Sequence, residues 1–164
     1  EEVRPSADVI KKHSGNNGVI DNVDLVRLFN VINDRIELLF DRDHLLGHSY
    51  FLVNSLEELR DAFVSRSIPL LQEYFYGDWD KVCLVLGCPN ETENHVNVST
   101  YAIMKPTRLT SDLFSFSESD LFEDRVLWDV NNGFKTASSN QLGHYFNAVV
   151  GSITGAEVSA GPAE

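Results

Sequence analysis

The sequence predicts a mainly α fold: a helical bundle over residues 22–87, followed by a smaller, irregular α+β C-terminal lobe. Three observations predict it. Leu25, Leu28, Phe29, Ile32, Ile36 and Leu39 recur at three- and four-residue spacing, which lines them along one face of a helix. Ser55 and Glu58 have the spacing of a capping box, and Pro69 stands where the first turn of a helix tolerates a missing N–H. After Gly87 the helical period gives way to short alternating runs that read as strands.

Taken in order, residues 1–21 read as a polar, loop-like connector ending in the breaker-rich run Ser14-Gly15-Asn16-Asn17-Gly18. Asp21 or Asn22 is placed to cap the first strong helix, which ends near residues 40–43, with Gly47 marking a turn beyond it. Arg35 and Glu37 fall off the apolar stripe, which predicts a polar face. An ion pair there contributes about 0–1 kcal/mol. A second helix fits 55–65. A third starts at Pro69, carries Leu70, Leu71, Tyr74 and Phe75, and stops at Gly77. Asp78 then caps a short fourth helix through Lys81 and Leu84. Leu28, Ile32, Ile36, Leu71 and Phe75 are expected to be buried together. In the second lobe, residues 88–152, Cys88-Pro89-Asn90 reads as a turn. The runs 95–98, 101–104 and 126–130 read as strands and 142–150 as a final helix, while 107–125 show no clean period. Residues 153–164 read as a frayed tail.

The chain has 164 residues, enough to bury a core without staples. Its 13 Lys and Arg against 25 Asp and Glu give a net charge of −12, a poor balance for gripping nucleic acid phosphates directly. No stretch approaches the roughly 20 apolar residues of a membrane span, and the first residues lack the basic start and apolar run of a signal peptide. These features together predict a cytoplasmic protein. Cys83 and Cys88 stand five apart, which leaves one disulfide sterically conceivable, but in a cytosolic protein they read as two free thiols, and the sequons at Asn90 and Asn97 as chance matches.

Three blocks carry a family likeness. The first is Asn30-Val31-Ile32-Asn33-Asp34-Arg35-Ile36-Glu37, continuing into Asp41-Arg42-Asp43-His44-Leu45-Leu46-Gly47-His48-Ser49-Tyr50-Phe51. The second is Ile68-Pro69-Leu70-Leu71-Gln72-Glu73-Tyr74-Phe75-Tyr76-Gly77-Asp78-Trp79, and the third Lys81-Val82-Cys83-Leu84-Val85-Leu86-Gly87. In order and spacing they resemble the lid of McrB-type AAA+ proteins, the GTP-driven motors of restriction systems directed at 5-methylcytosine. Glu2-Val3-Arg4-Pro5 is similar to the segment joining core to lid in that family. The likeness is looser at Trp128, Tyr145 and Phe146, and residues 88–125 carry none.

The resemblance implies a mechanical role, in which a lid closes over nucleotide held by a core. The sequence has no Gly-x-x-x-x-Gly-Lys-Ser/Thr loop and no strand ending in paired acids for magnesium. The expectation is therefore that the catalytic core lies outside this chain. The chain alone is expected to hold no cofactor, contribute no catalytic residue and hydrolyse nothing. The full-length parent would use GTP or ATP with Mg2+. It would work beside its own N-terminal AAA+ core, the neighbouring protomers of a ring and a McrC-like nuclease subunit, with DNA reached only through other domains. The resemblance places nucleotide sensing near Gly47, which makes His48 and Ser49 candidates, together with Arg35. Many AAA+ lids carry an arginine where this sequence has His48. The aromatic run offers Tyr74, Tyr76 and Trp79 as interface anchors. Two other function classes stay open: a protein–protein interaction module, and a metal site built from His44 and His48 on one helical face with Asp41 and Asp43 nearby.

Overall fold

A computed structural model of the chain describes residues 5–88, 100–109 and 125–151. The first element corrects the loop-like reading of residues 1–21. Helix α1 spans Ala7–His13, with Ser6 Oγ accepting from Asp8 N at 3.3 Å and Lys11, Lys12 and His13 in its last turn. Only Ile10 anchors it fully in the core, so the segment is too short and too polar to show a period. Its stability comes from packing against the next helix.

A minimal antiparallel hairpin follows, β1 (Val19–Ile20) and β2 (Val23–Asp24). Asp21 and Asn22, at φ 45° and 65°, form its two-residue turn, since both central positions need positive φ. They do not cap the helix. That role falls to Asp24, which accepts from Arg27 N at 2.9 Å and opens α2 (Leu25–Leu39). The expected stripe is real: Leu25, Leu28, Phe29, Ile32 and Ile36 are buried and Leu39 partly so. The buried face is wider than the stripe, because α1, a later helix and the C-terminal helix all pack on α2.

Two 3₁₀ turns, Arg42–His44 and His48–Phe51, lead to α3 (Leu56–Ala62). Ser55 Oγ accepts from Glu58 N, but the Glu58 carboxylate reaches back to Asn54 N at 2.8 Å, one residue before the expected partner. The second and third predicted helices are joined. A π turn, Phe63–Ser67, carries α3 into α4 (Ile68–Tyr74), with Ile68 N bonded to Phe63 O. Pro69 explains it: the ring has no N–H and crowds the carbonyl four residues back, which the wider turn relieves. Helix α4 closes at Tyr76 and Gly77, and Asp78 caps α5 (Trp79–Val85) as the sequence suggested.

The second lobe holds an antiparallel pair, β3 (Met104–Leu109) and β4 (Arg125–Val130), with Met104 opposite Val130 and Pro106 opposite Trp128. Proline is tolerated because both strands of a two-stranded sheet are edges. The strand expected at 101–104 begins only at Met104, while the run 95–98 lies outside the described residues. A short α6 (Asn132–Thr136), not foreseen, precedes α7 (Ser139–Gly151), which starts three residues before Leu142. Helix α7 packs on α2 and α3. Edge-to-face rings run from Phe29 through Phe51 and Phe63 to Phe146 and Phe134, at centroid spacings of 5.3–5.9 Å, so one core joins the two lobes. Leu28, Ile32, Ile36, Leu71 and Phe75 all lie in it. The fold is mainly α with a small α+β lobe. Among the described residues no helix is long and apolar enough to cross a membrane.

Candidate functional site

The segment between α2 and α3 is irregular, yet its backbone is tightly held. Asp41 Oδ1 accepts from Asp43 N at 2.8 Å and His44 N at 3.1 Å, and pairs with His44 Nδ1 at 2.6 Å. The His44 hydrogen bond holds the Asp41 carboxyl below the usual carboxylate range. The His44 ring stands edge-on to Phe40 at 4.3 Å and to Tyr74 at 4.9 Å. Leu45 and Gly47 are extended, and Leu46 is buried between them.

Two buried polar side chains suspend the next turn, His48–Phe51. On one side, Asn33 Nδ2 donates to Leu46 O at 3.1 Å while its Oδ1 accepts from Leu46 N at 2.8 Å. On the other, Ser14 Oγ donates to Phe51 O at 2.8 Å and accepts from Val53 N at 3.1 Å. Asn33 and Ser14 are nearly or fully buried. In a 3₁₀ turn residues three apart eclipse one another, so His48 shares the side of the buried Phe51. That accounts for its half-burial and for Nδ1, which is closed off without a partner among the described residues. Ser49 is exposed. Tyr50 is half-buried, with the Arg66 guanidinium 5.8 Å above its ring.

His48 and Ser49 thus share one turn, but Arg35 is elsewhere. Its guanidinium donates to Val85 O and Val149 O, each at 2.9 Å, so it fastens the ends of α5 and α7 to α2. The polar, solvated face expected for Arg35 is corrected. Position 35 lies between Ile32 and Ile36 on a helix packed from several sides, and burial pushes its pKa down. Glu37 is exposed. The metal geometry is also corrected: His44 and His48 occupy separate turns divided by extended backbone, so no single helical face presents them. Among the described residues no group of three His, Cys, Asp or Glu converges.

The aromatic candidates divide. Tyr74 is half-buried against His44, and burial, with Tyr50 and Glu73 adding, raises its pKa. Trp79 is half-buried on the core. Tyr76 is 89% exposed.

Sequence reasoning missed Asn33 and Ser14 as the groups that position the turn. Asn33 left a trace, a polar residue one helical repeat beyond Phe29 on the apolar face. Ser14 left none.

Residues 25–85 thus form a small helical subdomain that holds an ordered turn between α2 and α3. Residues 24–83 match the family model of the McrB alpha-helical lid domain, from the cap of α2 into the last turn of α5. This segment is a McrB-type AAA+ lid domain. No curated protein matches the chain.

Proposed function

We propose that the chain is the lid part of a McrB-like, nucleotide-driven motor acting in DNA restriction or defence, with its catalytic core supplied outside these 164 residues. The family match over residues 24–83 is the observation that carries this reading. The motor would use GTP or ATP with Mg2+. Its lid would pack on its own core and on neighbouring ring protomers, a McrC-like nuclease subunit would cut, and other domains would reach the DNA. The residues fit part of that task. The His48–Phe51 turn offers a phosphate the exposed Ser49 hydroxyl, while the half-buried His48 ring, its Nδ1 closed off, could donate only through Nε2. No carboxylate stands on the turn, so Mg2+ would take its oxygen ligands from the core.

His48→Ala and Ser49→Ala in the full-length parent should each slow turnover about 10-fold, equivalent to about 1.4 kcal/mol in the barrier. Thermal melts on the same preparations should change little. A His48→Ala protein that melts early but keeps normal specific activity would make the ring structural and remove it from the sensing site.

One observation favours a second use of the same domain, as an interaction module. Tyr76 sits at φ +53°, almost fully exposed, in a left-handed position where glycine is preferred. A side chain kept there at a conformational penalty, touching little of its own fold, suits contact with a neighbouring protomer. Tyr76→Gly should stabilise the isolated chain by about 1 kcal/mol while weakening ring assembly in light-scattering measurements. Unchanged assembly would assign the tyrosine no contact.

A further inference from the structure

The last turn of α5 ends in a backbone motif that brings two thiols together. Gly87 takes the left-handed position at φ +70°, Gly87 N donates to Leu84 O at 3.1 Å, and Cys88 N donates to Cys83 O at 2.8 Å. This pair of bonds defines a Schellman turn. In it the residue after the glycine normally makes an apolar contact with the residue five positions before it. Here both members of that contact are cysteines.

Both thiols are free and buried, at 2% and 4% exposure, and Cys83 donates a hydrogen bond to the Cys88 sulfur. That bond pushes the Cys83 thiol up and holds the Cys88 thiol down, with the Arg35 charge adding to the effect on Cys88. Arg35 is placed to act because it is fixed on Val85 O, within the same turn. Cys88 Sγ also lies 4.0 Å from Met104 O, at the start of β3. The pair therefore stands where the bundle, the Arg35 fastening and the second lobe meet.

We propose that Cys83 and Cys88 form an oxidative modification site, a dithiol that a small hydroperoxide closes to an intramolecular disulfide. Cys88, as thiolate, attacks the terminal peroxide oxygen. The O–O bond breaks, the sulfur becomes a sulfenic acid, and the alcohol or water fragment leaves carrying the proton. Cys83 then attacks the Cys88 sulfur and gives up its own proton, the S–O bond breaks, and water departs. In sum two thiols lose two hydrogens, and one peroxide is reduced to an alcohol (or water) and water. At 2% and 4% exposure the two thiols are closed to large oxidants, so the oxidant proposed is one as small as hydrogen peroxide. Closure would remove the Cys88 thiol from Met104 and tie the chain covalently to α5 beside the Arg35 contact.

The test treats the folded chain with hydrogen peroxide and reads intact mass, free thiols and peptide maps. The native chain should lose two hydrogens and both thiols without dimerising. Cys83→Ser should leave a Cys88 sulfenic acid that dimedone traps, while Cys88→Ser should leave Cys83 unmodified. Circular dichroism reports whether the variants fold, and the native chain's own peptide map tests the disulfide independently of them. Thiols that react only once urea has unfolded the chain would overturn the proposal. So would a Cys88 that runs on to sulfinic acid without pairing, or disulfides formed between chains.

Discussion

Arg35→Ala should lower the unfolding free energy by about 3 kcal/mol, taking 1.5–3 kcal/mol for each hydrogen bond from a charged donor and allowing for partial relaxation. The residue donates to the last carbonyl of α5 and to a carbonyl two residues from the end of α7. Carbonyls at helix ends lack partners within their own helices, and their partial negative charge favours a cation. One planar guanidinium serves both at 2.9 Å. Arg35→Lys should recover only part of the loss, because a single ammonium cannot fork between two carbonyls with the same geometry. Urea titration of the three proteins measures this. A loss under about 0.5 kcal/mol, the range of ordinary surface substitutions, would return Arg35 to the solvated face that its sequence position suggested.

Asn33→Leu should be nearly as damaging, by about 2–4 kcal/mol. The leucine fills a similar volume but leaves Leu46 N and Leu46 O, both paired through Asn33, without those partners inside the fold. Each unsatisfied buried group costs about 1–3 kcal/mol. The informative readout is local. Amide exchange at Leu46 and across residues 47–51 should accelerate well beyond the global change in stability, because the turn loses one of its two supports. If exchange there rises only in step with the rest of the chain, Asn33 is ordinary core and the turn is held by other means.

Both residues lie in the run Asn33-Asp34-Arg35-Ile36-Glu37, and their fates show what a sequence can and cannot carry. The period of α2 was legible because six apolar residues repeat it. The caps at Ser55 and Asp78 were legible because their partners lie three residues away. Arg35 was not, since its partners lie 50 and 114 residues along the chain and no local pattern announces them. Ser14 acts 37 and 39 residues away, from a helix that shows the sequence only one deep anchor. His48 and Ser49 were placed by family likeness. Which of them faces solvent followed from the three-residue repeat of a turn that only the structure reveals. The family motif therefore reads in large part as architecture: Asn33 holds the turn, Arg35 holds two helix ends, and Ile36 fills the core.

The contact of Phe63 with Phe146 bears on how such a domain comes into being. The lid segment is complete at α5, yet part of its apolar surface is covered by α7, which the ribosome delivers much later. Helices α2 to α5 can assemble from local contacts as they emerge, but the Phe63 face must wait for a distant partner. Between those two moments the nascent chain displays an open aromatic face. The family boundary at Cys83 is thus not the boundary of the core, which takes in Phe134 and Phe146 as well.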